Sequence, residues 1–253
     1  MSRRVALVAA AAEAQLVGAD GSFEWGEATT VGPGARPNCD VVVELAGARA
    51  GESEATSVDW LDRAPEAATA ARRCLVIAPG GERLWRRRPL PVGQACFDLP
   101  LPRRPSAVVV GPDSPRRRQL VERASSVGVE MDVADRLSLS VLGRASSVAL
   151  LAETDEVVSP WSFCVLAARR LLLTPAHQIG FGLRHGIDHL QFNDPDELAS
   201  LLRSAQVHPN LFEPLRVSGE DAAERRRTAT VLGTLVGDLE IEGRLARAGK
   251  EVE

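Results

Sequence analysis

Short apolar runs and longer stretches of helical periodicity alternate along this chain. Residues 5–9, 41–45, 74–78, 107–110, 147–152 and 171–174 are apolar runs bounded by turn residues or charges. They are too short for helices and predict strands buried in a sheet. Residues 58–73, rich in Ala, Leu and charge, predict an amphipathic helix capped by Ser57 or Asp59. After the run at 107–110 comes the turn Gly111-Pro112-Asp113. Ser114 then suits an N-cap and Pro115 the first helical position. Leu120, Val121, Ala124 and Val127 form the apolar stripe of that helix, and Gly128 ends it. Further helices are predicted over 161–170, 194–206 and 228–245. In the second of these, Asn193 or Asp194 caps, Pro195 follows, and Leu198, Leu201 and Leu202 face the core.

Strands alternating with helices imply a parallel sheet covered on both faces. Residues 18–38 are rich in Gly, Pro, Thr and Asn and predict loop. Prolines at 89, 91, 100, 102 and 105 predict an interdomain linker over 86–105. The expected fold is α/β, with a small N-terminal α/β domain over 1–102. A second domain, 103–253, carries a parallel sheet and a C-terminal helix.

Composition narrows the chemistry. The chain has 253 residues, of which 45% are hydrophobic, and a net charge of −4. No global basic field recruits nucleic acid or an anionic membrane. Lys250 is the one lysine and tyrosine is absent. A P-loop, a buried Schiff-base lysine and a catalytic tyrosine are thereby excluded. Any phosphate must be held by arginine, backbone N–H groups or hydroxyls. Cys39, Cys74, Cys96 and Cys164 form no CxxC pair, so a zinc ribbon is not expected and reduced, buried thiols are. Arg3 and Arg4 followed by an apolar run resemble a weak signal peptide, but the run stops at Glu13 and fits a buried first strand. No stretch reaches the ~20 apolar residues of a membrane span. A cytoplasmic protein is expected.

In a parallel sheet, ligands bind beyond the carboxyl ends of the strands. The loop Gly111-Pro112-Asp113-Ser114-Pro115-Arg116-Arg117-Arg118 occupies such a position. Gly111, Ser114, Arg116 and Arg117 together suit a diphosphate, the alternative being an ordinary turn with a solvated arginine face. In 171–182 a strand runs into Thr174-Pro175-Ala176-His177 and two glycines. Thr174 and His177 are candidate ligand contacts, although His177 alone also fits a surface histidine. His185 and His189 flank Asp188 at a spacing that could hold a metal on a helix, but Gly186 weakens a helix and no third ligand is evident, so no metal is expected. No GxSxG elbow supports serine hydrolysis.

Residues 159–175, from Ser159-Pro160-Trp161 through Ala167-Ala168-Arg169-Arg170 to Leu173-Thr174-Pro175, resemble a segment of the group 1, spore-coat (CgeB)-like glycosyltransferases. There a helix reading "FEAMA-G" leads into an apolar strand. Residues 186–198 are similar to that family's "G-x-E-x-x-x-F-x-D-P-x-E-L", ending in Asp194-Pro195-Asp196-Glu197-Leu198, and His208-Pro209 follows. Where the family carries glutamate and glycine, this chain has Cys164 and Arg169. The resemblance covers about residues 100–215 and implies a GT-B-like pair of Rossmann-like units. It further implies sugar transfer from a nucleotide-sugar donor to an acceptor the sequence does not name, with no metal and no separate cofactor. His177 would be the catalytic group, and Gly111, Ser114, Arg116, Arg117 and Thr174 would hold the donor. The alternative is a catalytically degenerate GT-B fold serving as a binding or scaffold subunit, with a protein partner or as a homo-oligomer.

Overall fold

The computed structural model describes residues 3–8, 11–18, 21–23, 26–32, 41–45, 56–60, 73–77, 83–87, 92–151, 159, 161–176 and 182–241. They fall into two compact units. One takes the described residues up to Gln94 together with those from Arg226 onward; the other is Ala95–Arg225. The sequence reading placed the division at 102/103 and kept the last helix with the second domain.

The first unit is built on a seven-stranded sheet. Its strands are β1 (Arg3–Val8), β2 (Gly21–Phe23), β3 (Gly26–Val31), β4 (Val41–Leu45), β5 (Thr56–Trp60), β6 (Arg73–Ile77) and β7 (Arg83–Arg87), in the order β2-β3-β1-β4-β5-β6-β7. The block β3-β1-β4-β5 is parallel, while β2, β6 and β7 pair antiparallel. Two expectations fail here. Residues 18–38 contain β2 and β3, because β1 lies between β3 and β4 and that pairing overrides the turn-like composition. Residues 58–60 belong to β5 and not to a helix, since Thr-Ser-Val-Asp-Trp alternates with the period of a strand; residues 61–72 lie outside the described residues.

Helix α1 (Ala11–Val17) follows β1, and its end is tied to the two other parts of this unit. Gly93 donates to the Leu16 carbonyl at 2.7 Å, and the Thr228 hydroxyl donates to the Val17 carbonyl at 2.8 Å. A short helix, α2 (Gln94–Phe97), lies within the proline-rich stretch expected to lack regular structure.

The second unit holds a five-stranded, all-parallel sheet of β8 (Ala107–Val110), β9 (Met131–Ala134), β10 (Ser147–Leu150), β11 (Leu171–Pro175) and β12 (Leu190–Phe192). Its order is β12-β11-β10-β8-β9. Strands β8, β10 and β11 are buried throughout, as continuous apolar runs in a sheet covered on both faces should be. The helices are α3 (Pro115–Ser126), α4 (Leu139–Arg144), α5 (Ser162–Ala167), α6 (Pro195–Val207) and α7 (Glu213–Glu224). Leu120 and Ala124 of α3 and Leu198, Leu202 and Ala205 of α6 pack with Val109, Ala149, Leu171, Leu173 and Phe192 into one core. Helix α5 packs on β11 and on α7. There Gly219 allows a close approach: a Cβ would fall 2.7 Å from Leu166 Cδ2 and 3.0 Å from the Asp188 carbonyl.

Helix α8 (Thr228–Ile241) belongs to the first unit, with Val231, Leu232, Leu235 and Val236 buried. Both units are α/β with parallel strand blocks, as the sequence implied.

Candidate functional site

Within the second unit the five strands, counted in chain order, lie 2-1-3-4-5 across the sheet. From β8 the chain leaves in one direction to β9, then crosses back to β10 on the other side. In a sheet of this order, ligands generally bind at the carboxyl ends of the strands beside the point where the winding reverses, here between β8 and β10. Gly111 follows β8 at that point with φ +150, a conformation suited to glycine. A Cβ on Gly111 would fall 2.7 Å from Leu151 Cβ and 3.0 Å from the Leu151 carbonyl, so glycine lets the two loops meet.

The loop then enters α3. Ser114 is extended (φ −150, ψ 156) and its hydroxyl accepts from Arg117 N at 3.1 Å, as an N-cap should. Arg116 is half-buried on the first turn. Arg117 is buried and turned inward. Its Nη1 donates to the Gly111 carbonyl and to Asp135 Oδ1, both at 2.6 Å, and its Nη2 lies 3.2 Å from Asp113 Oδ1. The hydrogen bond it donates to Asp135 raises its pKa further against the opposing effect of burial, so it is a fixed cation. Arg117 thus ties the loops after β8 and β9 together. The sequence reading missed Asp135, whose only signal was its place just past a short strand.

Thr174 lies at the carboxyl end of β11, two strands from β8, or about 10 Å away by strand spacing. It is fully buried and its hydroxyl has no hydrogen-bond partner. His177 lies outside the described residues. The structure therefore brings Gly111, Ser114, Arg116 and Arg117 together on one loop and places Thr174 on the same rim of the sheet.

Cys164 is fully buried on α5, as are its helix neighbours from Ser162 to Ala167. Arg169 ends the helical segment with φ 55, the left-handed conformation that a glycine adopts without cost. Its guanidinium pairs with Glu213 and lies 3.4 Å from Glu220.

Residues 184–189 form a compact turn, not the helix on which His185 and His189 could have shared a metal. Asp188 accepts from Arg184 N at 2.9 Å, Arg184 Nε at 3.2 Å, Arg184 Nη2 at 3.1 Å and Ser218 Oγ at 2.8 Å. Burial pushes its pKa up, but these donors outweigh burial and hold it below the usual carboxylate value. His185 Nδ1 accepts from Gln191 N at 3.0 Å. His189 is buried with neither ring nitrogen partnered, and burial, aided by His185, pushes its pKa down to about 4. Among the described residues no group of three metal-ligating side chains occurs.

The motif Asp194-Pro195-Asp196-Glu197 is a helix start. Asp194 Oδ1 accepts from Glu197 N at 2.8 Å, Pro195 opens α6, and Glu197 Oε2 accepts from Asn193 N at 2.8 Å.

No protein-family model and no curated protein matches this chain. Among solved structures, AviGT4, a glycosyltransferase involved in avilamycin A biosynthesis, aligns with 97% of this chain over 99% of its own length, with a TM-score of 0.52 and 12% identity. A glycosyltransferase from Rickettsia africae ESF-5 aligns with 60% of this chain at a TM-score of 0.42 and 12% identity. TarM aligns with 54% at 0.40 and 10%. The chain spans 50% of the Rickettsia africae protein and 36% of TarM. Of these likenesses, the one to AviGT4 runs over both chains nearly end to end, and it is a likeness of fold.

Proposed function

We propose that the second unit binds a nucleotide sugar at the carboxyl ends of β8 and β10, and that the protein is a metal-independent glycosyltransferase of GT-B type, in the line of the group 1 family that its motifs resemble. The observation that carries this reading is the strand order. The reversal of winding falls between β8 and β10, at the end of the sheet where Gly111 and the N-terminus of α3 lie. Positive helix-end dipole and close backbone approach are what a diphosphate requires. Arg116 is the cation of this loop assigned to the phosphates. Arg117 acts through the loop, by holding the Gly111 carbonyl. Thr174 offers an unanswered hydroxyl to the donor, and His177 is the proposed catalytic group. The AviGT4-like fold supports the two-unit architecture of the proposal.

A second reading is a degenerate GT-B fold that binds or scaffolds without transferring sugar. Its support is Cys164, a fully buried thiol where a carboxylate would accept hydrogen bonds from a sugar. The acidic groups Asp113 and Asp135 on Arg117 favour it too, because a diphosphate must compete with them.

The test is a thermal-shift and calorimetric screen of UDP-, GDP- and dTDP-sugars, followed by Arg116→Ala and by donor hydrolysis assays. A charge-assisted contact is worth about 1.5–3 kcal/mol, so Arg116→Ala should weaken binding about tenfold or more. Binding without turnover selects the scaffold reading. Wild-type protein that binds none of these nucleotides rejects the transferase reading and leaves the scaffold.

A further inference from the structure

Strand β9 ends beside the loop to which the proposed function assigns the diphosphate. Gly111 N donates to the Ala134 carbonyl at 3.0 Å, so the last residue of β9 is tied to the first residue past β8. Asp135 comes next. Its Oδ1 accepts from Arg117 Nη1 at 2.6 Å, and the same nitrogen donates to the Gly111 carbonyl at 2.6 Å. One guanidinium nitrogen thus fixes the carboxylate beside Gly111. The Asp135 side chain is nevertheless 79% exposed, against 9% for Arg117. Its Oδ2 takes no part in the bond to Arg117 and is free to accept another. Asp135 is therefore an anchored acceptor that a ligand can reach.

The strand order gives this acceptor a place along a bound donor. Strand β9 is the neighbour of β8, about 5 Å away on one side, and β11 lies two strands away, about 10 Å, on the other. With the diphosphate at Gly111 and the N-terminus of α3, a donor laid along this rim has its nucleoside on one side and its sugar on the other. Ribose hydroxyls are met best by a carboxylate, which only accepts. On the β11 side, the residue standing where the family carries glutamate is Cys164, a fully buried thiol. Thr174 on that side offers a hydroxyl, which both donates and accepts and so suits a sugar. On the β9 side stands the Asp135 carboxylate.

We infer that Asp135 selects donors that carry a ribose, by accepting a hydrogen bond from the 2′-hydroxyl through Oδ2, with the nucleoside over β9 and the sugar over β11. The inference rests on the nucleotide-sugar site proposed above and adds its direction and its substrate class, ribonucleoside diphosphate sugars in preference to 2′-deoxy ones. Arg117 serves the contact in two ways. It offsets the negative charge of Asp135 beside the phosphates, and it holds the carboxylate in place before the donor arrives, so that less ordering is needed on binding.

The probes are UDP with dUDP and GDP with dGDP, pairs that differ only in the 2′-hydroxyl, titrated calorimetrically into the full chain. Wild-type protein should bind the ribose form about tenfold more tightly than the deoxy form, the value of one charge-assisted hydrogen bond. Asp135→Ala should bring the ribose form down to the affinity of the deoxy form and leave the deoxy form as it was. Asp135→Asn, which keeps one carbonyl acceptor and the size of the side chain, should lose only part of the preference. A purely structural role for Asp135 would weaken both forms equally, and that result overturns the inference. So does wild-type protein that binds both forms alike, a comparison that needs no variant to fold, and so does a preference for ribose that survives Asp135→Ala. In each of these cases nucleotide binding itself stands. Wild-type protein that binds neither form removes the transferase reading, and this inference with it.

Discussion

His189 shows how one side chain can set a pH dependence. Its imidazole is buried, both nitrogens are unpartnered, and its folded pKa is about 4 against roughly 6.5 in an unfolded chain. Between these values the unfolded chain binds more protons than the folded one. Stability is therefore flat above about pH 6.5 and falls as pH drops toward 4. His185, Asp188 and Arg184 face the same group, and burial outweighs the favourable charge of Asp188. Between pH 7 and pH 5 the loss through His189 should be about 2 kcal/mol. Denaturant melts at both pH values check this, and His189→Gln should flatten the difference; an unchanged slope in that variant would assign the effect elsewhere. The histidine pair was visible in the sequence, but burial of only one member was not. Arg169 is a similar case. Its departure from the family's glycine was legible, whereas the reason glycine suits the position, φ 55, belongs to the folded backbone.

Element starts were the most readable feature, because they are local. Ser114-Pro115 and Asp194-Pro195 each place a capping oxygen before a residue with fixed φ, and both helices begin there. Asp194→Ala should cost about 1 kcal/mol, and Asp194→Asn only a few tenths. Thermal melts of the two variants decide it; equal losses would mean that charge at the helix end, not the hydrogen bond to Glu197 N, is what matters. Other elements were not legible for identifiable reasons. Helix α7 buries Arg216, Gly219, Ala222 and Ala223, which make no long apolar stripe. Its fit depends on the close approach of α5 at Gly219. Strand β3 has the composition of a turn and becomes a strand by pairing with β1 along its whole length. Helix α1 begins in an alanine run that sequence alone cannot divide between strand and helix.

Across the whole molecule, the chain passes from one unit to the other twice, after Gln94 and after Arg225. Val92 N donates to the Arg226 carbonyl and Thr228 N to the Val92 carbonyl, at 2.8 and 2.9 Å. A fragment spanning Ala95–Arg225 contains its own sheet and core and should fold with a single cooperative transition. A fragment spanning 103–253 should behave worse. It loses the Pro100 carbonyl that Arg170 uses, at a cost of about 1–3 kcal/mol for the orphaned group. It also carries α8 without Val92 and Val17, leaving Leu232 and Val236 to drive aggregation. Sedimentation and denaturant melts of the two fragments compare them directly, and equal behaviour would argue against the division at Gln94 and Arg225. Among the described residues no helix is long and apolar enough to cross a membrane.

The sequence by itself determined the α/β class, the central strands of the second unit, the starts of α3 and α6, and the loop that follows β8. All of these rest on local causes: apolar runs, capping side chains and proline's fixed φ. Tertiary structure alone decided the strand order, the inward turn of Arg117 onto Asp113 and Asp135, the burial of Cys164 and His189, and the return of α8 to the first unit. The physical reason is that each depends on which segments, far apart in the chain, share a hydrogen-bonding edge or a buried face. No local pattern encodes that choice; it is made by competition among all the apolar faces and polar groups that folding must satisfy together.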